Sequence, residues 1–180
     1  MARANDPSAS SVELPAAVAQ AVAEGSFPAE IRLAGWSGPT LFTSEISGGR
    51  LPRLSAFVAA APDGDDPIVL GTVRETELSA GEGPVRYAAF CLDPAGERVI
   101  LVDFQTGERK AVNSGVPQMI RCLALFEREW NTFAKLHPDE IDPFLEWLRG
   151  ALKGLDPQAF RGREDYWSSW LGLLAEQKEE

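Results

Sequence analysis

The hydrophobic period of this chain changes from two to 3.6 near residue 113, and this change restricts the folds that it can adopt. Before residue 113, short apolar and β-branched runs alternate with turns that contain Gly and Pro, which is typical of consecutive strands. After it, apolar residues recur at helical spacing as far as about residue 176. Strands followed by helices predict an α+β domain, with helices packed on one side of a mostly antiparallel sheet.

Four apolar runs in the middle of the chain predict an antiparallel meander. They cover residues 67–72, 85–92, 98–103 and 109–112. Tight turns connect the last three runs, because Pro94 fixes φ early in one turn and Gly96 and Gly107 can adopt positive φ. Consecutive strands that are joined by such turns pair antiparallel. The earlier region is less regular, and we expect extended pieces there at 30–33, 40–46 and 54–60.

Helices are predicted on both sides of the meander. A short helix should lie between Pro15 and Gly25. After the meander, the side chain of Asn113 or Ser114 is expected to cap a long helix. Its apolar stripe comprises Val116, Met119, Ile120, Leu123, Phe126, Trp130 and Phe133. A second helix should begin at Asp139 or Asp142 and end at Gly154, and a third should cover 163–176. Between them, Asp156 and Pro157 have the pattern of a cap followed by a first-turn proline.

The length of 180 residues predicts one domain. We expect a disordered tail at 1–10, a single domain at 11–176 and a frayed end at 177–180. The longest apolar runs are too short to span a bilayer, and the N-terminus lacks the apolar stretch of a signal peptide. We therefore expect a cytoplasmic protein with no membrane contact. The oligomeric state stays open.

The charge balance excludes some partners. The chain has 27 acidic and 17 basic residues and a net charge of −10. Because a nucleic-acid binder needs a basic face to neutralise phosphates, direct nucleic-acid binding is not expected. An acidic surface instead favours encounter with basic partners, although many acidic proteins carry such charge only for solubility.

Residues that could support catalysis or hold a cofactor are sparse. Cys91 and Cys122 lie in apolar stretches, where we expect buried, reduced thiols. Together with the single histidine, His137, they are too few for a structural zinc site. His137 could be a general base or a metal ligand, but its position next to a proline between two helices favours an ordinary exposed residue. No nucleophile elbow or phosphate-binding loop is present. We therefore predict no catalytic residue, cofactor or metal.

Charge and loop position predict the partner contacts, because recognition often depends on loops. The predicted contact residues are Asp63, Asp65, Asp66, Glu75, Glu77, Glu82 and Trp36. The loop with the three aspartates lacks the ligand spacing of a calcium site. Trp36 lies near glycines, and a core position is as compatible with the pattern as an interface. Most of the helical tryptophans, which are Trp130, Trp147, Trp167 and Trp170, are expected in the core, and any that is exposed would mark a contact surface.

The sequence resembles the SUKH superfamily of Smi1/Knr4-like proteins in three successive parts. These are YAAFCLDPAGERVILVD at 87–103, AVNS at 111–114 and the amphipathic helix that follows. Within it, the sequence is most similar to the SUKH-4 immunity proteins. The tail also fits, with LDP at 155–157 followed by YWSSWL at 166–171. The resemblance covers about 66–175. Gly115, where the family usually has serine, and Pro117 depart from the pattern.

This resemblance implies a SUKH-like single domain that acts as an immunity protein, without catalysis, by binding a cognate toxin with a basic surface. Nucleases and nucleic-acid deaminases are the expected toxin classes. A regulatory or scaffolding module with a cellular protein partner is the main alternative. An enzyme with an unrecognised carboxylate site is a third possibility, and it would require a cleft with carboxyl groups of raised pKa.

Overall fold

The computed structural model describes residues 11–34, 38–58, 66–74, 85–93, 95–161 and 165–176. The strands are β1 (Ser11–Glu13), β2 (Glu30–Ile31), β3 (Phe42–Ser44), β4 (Arg50–Pro52), β5 (Ile68–Arg74), β6 (Arg86–Leu92), β7 (Val99–Asp103) and β8 (Arg109–Asn113). The helices are α1 (Ala16–Ala23), α2 (Val116–Phe133), α3 (Pro138–Leu155) and α4 (Tyr166–Glu176). Short 3₁₀ turns occur at Leu54–Ala56 and Pro157–Phe160. The expected tails at 1–10 and 177–180 lie outside the described residues.

The strands form an antiparallel six-stranded sheet in the order β2-β3-β5-β6-β7-β8, and β1 and β4 form a separate two-stranded ribbon. The run from β5 to β8 is the predicted meander, and the α+β class is confirmed. β8 lies at one edge of the sheet. Among the described residues, no helix is both long enough and apolar enough to span a membrane.

The two faces of the sheet bury different amounts of apolar surface. Alternate residues of β6 point to opposite faces of the sheet: Phe90 and Leu92 pack with the helices, whereas Ala89 and Cys91 lie on the other face. The helix-covered face contains the main core, which includes residues from α2, α3 and α4. On the opposite face, a smaller cluster around Cys91 packs against Leu54 of the first 3₁₀ turn. We refer to these as the helix face and the outer face.

An irregularity in β8 brings a polar side chain into the helix face. Ile100 pairs with Ala111, but the preceding residue of β7, Val99, pairs with Asn113 and not with Val112, so that β8 contains one extra residue. Val112 and Asn113 are both buried as a result. The strand therefore ends with an amide side chain inside the protein, at the point where the chain turns into α2.

A second irregularity, in β5, places Gly71 opposite Phe90. The ring of Phe42 lies directly over this glycine: a Cβ atom at position 71 would be 2.4 Å from two ring carbons and 2.7 Å from the carbonyl oxygen of Thr43. Phe42 in turn makes an edge contact with Phe90, at 5.4 Å between ring centroids. Only glycine leaves room for this aromatic pair.

Two local predictions need correction, and one strand pairing was missed. The extended piece expected at 54–60 contains a 3₁₀ turn at Leu54–Ala56, because Leu54 turns its side chain into the outer-face cluster. The pairing of β1 with β4 was not predicted. α3 begins at Pro138, before the expected aspartates, because Pro138 is suited to the first helical position and Glu140 accepts the His137 N–H at 2.9 Å.

Candidate interaction surfaces

Most of the predicted contact residues lie outside the described residues. They are Trp36, Asp63, Asp65, Glu75, Glu77 and Glu82. The structure describes Asp66, which is half-buried. Its carboxylate accepts hydrogen bonds from the Ser55 backbone N–H at 2.8 Å and from the Ser55 hydroxyl at 2.7 Å. Asp66 therefore holds the first 3₁₀ turn against the start of β5, and its contact with a partner stays a prediction.

The predicted side-chain cap of α2 is wrong. Gly115 occupies the N-cap position, and neither Asn113 nor Ser114 accepts a hydrogen bond from the first turn of the helix. Both residues instead donate to Asp156. The Asn113 Nδ2 lies 3.0 Å and the Ser114 backbone nitrogen 2.7 Å from the same carboxylate oxygen, Oδ2. The side chain of Asn113 is directed into the protein by the irregularity in β8, so it cannot reach the helix N-terminus.

Asp156 consequently joins the end of β8 to the second 3₁₀ turn. It is 1% exposed, and its other oxygen accepts the Gln158 N–H at 3.2 Å, as its predicted role as a cap requires. Burial alone would raise the pKa of this carboxyl group. Hydrogen bonds from Ser114, Asn113 and Gln158 outweigh burial, so the pKa is lowered and the group stays ionised. This junction stabilises the fold through the Asp156 carboxylate, both of whose oxygens accept hydrogen bonds.

A cleft of about 600 Å³ lies next to this junction, between β8 and the second 3₁₀ turn. Its charged lining comprises Arg98, Glu108, Arg109, Lys110, Arg161 and Asp165. Arginine and lysine outnumber the carboxylates in this lining, although the whole chain is strongly acidic. The carboxylate of Asp165 is already used, because it accepts hydrogen bonds from the backbone and hydroxyl groups of Ser168 at the start of α4. The cleft is therefore a local basic site.

Sequence reasoning missed this cleft. Its cations come from the β6–β7 turn, from β8 and from the residue after the second 3₁₀ turn, which are far apart in the chain. Only Arg109 and Lys110 are adjacent, and two neighbouring cations on a strand are too common to indicate a site.

A second polar group of residues lies on the outer face. Glu45 accepts a hydrogen bond from the Thr72 hydroxyl at 2.6 Å and forms an ion pair with Arg86 at 3.3 Å. The guanidinium of Arg86 also lies over the ring of Phe57, 5.4 Å from its centroid. Phe57 stacks on Phe104 at 6.0 Å. These side chains cover part of the outer-face cluster. Glu45 and Arg86 find their partners within this group of residues.

The cysteines and the histidine are not brought together. Cys91 lies on the outer face and Cys122 on the helix face, so their side chains point away from each other. Burial raises the pKa of Cys91 to about 12 and that of Cys122 to about 11, which keeps both thiols protonated and unreactive. His137 is exposed, 3.5 Å from Asp139. Within the described ranges, no group of His, Cys, Asp and Glu side chains could hold a metal ion.

Among the tryptophans that the structure describes, Trp147 is the most exposed. Trp167 is fully buried and Trp130 nearly so, as predicted, but Trp147 is 51% exposed. Trp147 lies on α3 against Phe144, with the ring centroids 5.7 Å apart. An exposed tryptophan beside a second aromatic ring is the surface feature that the sequence interpretation associated with a partner contact.

An active site based on carboxyl groups, the third alternative from the sequence, would require carboxyl groups with a raised pKa. Three described aspartates, Asp93, Asp103 and Asp156, instead have a lowered pKa. At Asp93, hydrogen bonds and the charge of Arg98 outweigh the opposing effect of burial. At Asp103, the backbone N–H of Thr106 is the main cause. These groups stabilise turns in their ionised form and are unsuited to donate a proton near neutral pH.

Comparison with known proteins gives one family. The model of the family described as SUKH-4 immunity protein matches residues 1–176. The match therefore extends beyond the segment 66–175 on which the sequence resemblance was based. Neither the curated proteins nor the solved structures gave a match.

Proposed function

Because the chain belongs to the SUKH-4 immunity protein family, we propose that it neutralises a cognate bacterial toxin domain by binding it directly. The family match over residues 1–176 is the observation that carries this proposal. The proposed toxin is a nuclease or a nucleic-acid deaminase, whose substrate groove presents basic residues. A net charge of −10 would accelerate association with such a groove. The proposed place of action is the cytoplasm of the producing cell.

In this proposal the protein does not act as an enzyme and blocks the toxin by covering its surface. One observation favours this: the described aspartates with a shifted pKa have lowered values. The proposed contacts are the acidic side chains near residues 63–66 and 75–82, together with Trp36. The exposed Trp147 is a further proposed contact, because tryptophan is frequent among the residues that dominate binding energy.

The test begins with capture of partners by the tagged protein from the lysate and secreted fraction of its own organism, followed by mass spectrometry. The captured protein is then expressed alone in a heterologous bacterium and again together with this chain. We expect growth arrest in the first case and protection in the second. Association should slow by at least about tenfold between 50 and 500 mM salt, because screening weakens long-range attraction.

Two outcomes would contradict the proposal. If the captured protein is not toxic, or if it stays toxic when this chain is bound to it, the immunity function is wrong. Recovery of housekeeping partners alone would instead support a regulatory or scaffolding module. If binding and its rate do not change with salt, the electrostatic part fails while the immunity function stands.

A further inference from the structure

The basic cleft lies beside β8, at one edge of the sheet, and the second 3₁₀ turn forms its other wall. β8 is the last strand of the sheet, and among the described residues only β7 pairs with it. Successive strand residues point to opposite faces. A cleft that is lined by Arg109, Lys110 and Ala111 together must therefore run along the edge of the strand itself. Backbone N–H and C=O groups at such an edge can pair with another extended chain.

The side chains around this edge favour negative charge. Arg161 is exposed and forms no ion pair with another described residue. Lys110 pairs with Glu108 at the surface, 3.8 Å apart, whereas Arg98 pairs with the buried carboxylate of Asp93. An exposed pair such as Lys110–Glu108 contributes little free energy, so a ligand carboxylate can compete for Lys110.

We propose that an extended acidic segment of the partner protein docks in this cleft, adds a strand next to β8, and places carboxylates against Lys110 and Arg161. The identity of that partner as a toxin rests on the proposed function. The three consecutive β8 residues that line the cleft, Arg109, Lys110 and Ala111, would give such a segment a pairing length of about 10 Å. The cleft volume of about 600 Å³ is within the range of roughly 300–1,000 Å³ that is typical of ligand sites.

A peptide fits this site better than a nucleic acid. A nucleic acid carries phosphates well beyond the cleft, where the net charge of −10 would repel them. A short acidic segment places its charge only where the cations are, and its backbone matches the strand edge. The overall charge and the cleft then have separate roles: the first attracts a basic toxin over long range, and the second holds one acidic segment of it.

The test is a ¹⁵N-¹H NMR titration of the full chain, at low salt, with a capped ten-residue peptide of alternating Glu and Val. We expect chemical-shift changes that concentrate in the amides of β8 and around Arg161. A second peptide, with Lys in place of Glu, should leave these amides unchanged. The Lys110→Glu plus Arg161→Glu double variant should bind the acidic peptide at least about tenfold more weakly, since two attractive pairs become repulsive.

A matched control separates the cleft from the overall charge. The Arg149→Glu plus Lys153→Glu double variant changes the net charge by the same amount, at exposed positions of α3 that do not line the cleft. It should bind the peptide with less than about a twofold change. Equal weakening in both double variants, or no shift in β8 up to millimolar peptide, would overturn the proposal. A single-stranded oligonucleotide that shifts the same amides more tightly would overturn it in favour of nucleic acid.

The same variants distinguish this proposal from the immunity function. If the Lys110→Glu plus Arg161→Glu variant binds the captured toxin as tightly as the unaltered chain and still protects the host, the cleft proposal fails and the immunity function stands. If the acidic peptide binds at β8 but no toxin is captured, the cleft stands as an acidic-peptide site and the immunity function fails.

Discussion

Asp156 connects two parts of the chain that are far apart in sequence. Its buried carboxylate receives the amide of Asn113, the backbone N–H of Ser114 and the N–H of Gln158. The sequence predicted a structural role for Asn113 and Ser114, with one of their side chains accepting N–H groups of the helix. In the structure both residues instead donate to Asp156. Nothing local indicates that an irregularity in β8 will bury Asn113 beside a residue that follows α3.

We expect Asp156→Asn to lower the free energy of unfolding by about 2–3 kcal/mol, because a neutral amide weakens charge-assisted bonds and directs donors at donors. Urea denaturation at pH 7 measures this. Asp139→Asn, at an exposed position at the start of α3, is the control and should change the value by less than about 0.5 kcal/mol. Equal stability of the Asp156 variant and the unaltered protein would show that the junction is not stabilising.

Gly71 provides a second test at a single residue. Gly71→Ala places a Cβ 2.4 Å from the ring of Phe42 and should destabilise the protein by about 2 kcal/mol or more. Gly150→Ala is the control, because that glycine lies inside α3 with nothing within 4 Å of the added Cβ. There alanine should stabilise the helix by up to about 1 kcal/mol. Thermal unfolding measures the change in stability of both variants, which should be a loss for Gly71→Ala and a gain for Gly150→Ala. Changes of the same sign would contradict this account.

The helices could be predicted from sequence more reliably than the early strands. The apolar residues of α2 recur at the helical spacing of 3.6, so the local sequence alone predicts that an element is present and that it is a helix. β1 and β4 have three residues each and pair across most of the first third of the chain, and no local pattern identifies such a pairing. Which helix face is covered is also decided by packing, and this explains why Trp147 is exposed although its spacing is helical.

Two tryptophan variants test which helix faces are buried. Trp167→Ala should cost about 3–5 kcal/mol, because the side chain is fully buried against Phe126 and Tyr166. Trp147→Ala should cost less than about 1.5 kcal/mol, since half of its surface is already in water. Guanidinium denaturation compares the two. Similar losses for both variants would mean that Trp147 is packed in the core, and this would remove it as a proposed contact.

The molecule as a whole should lose stability in acid. Asp93, Asp103 and Asp156 have a folded pKa below the value of about 3.9 for an unfolded aspartate. Their contribution is therefore complete above about pH 4 and is lost as the pH falls through the lower folded values. Urea midpoints between pH 2 and 7 should show a plateau above about pH 5 and a decline below 4. Asp156→Asn should make that decline shallower, and stability that rises towards pH 3 would contradict the assignment.

The sequence by itself determined the α+β class, the meander, the long helices and the family, because strand and helix periods, turn glycines and the AVNS and LDP segments are local signals. Tertiary structure alone decided that Asn113 meets Asp156, that Trp147 is exposed, and that Arg98, Lys110 and Arg161 surround one cleft at the edge of β8. The physical reason is the same in each case. These contacts join residues that are far apart in the chain, and their geometry depends on strand register and on how the helices pack.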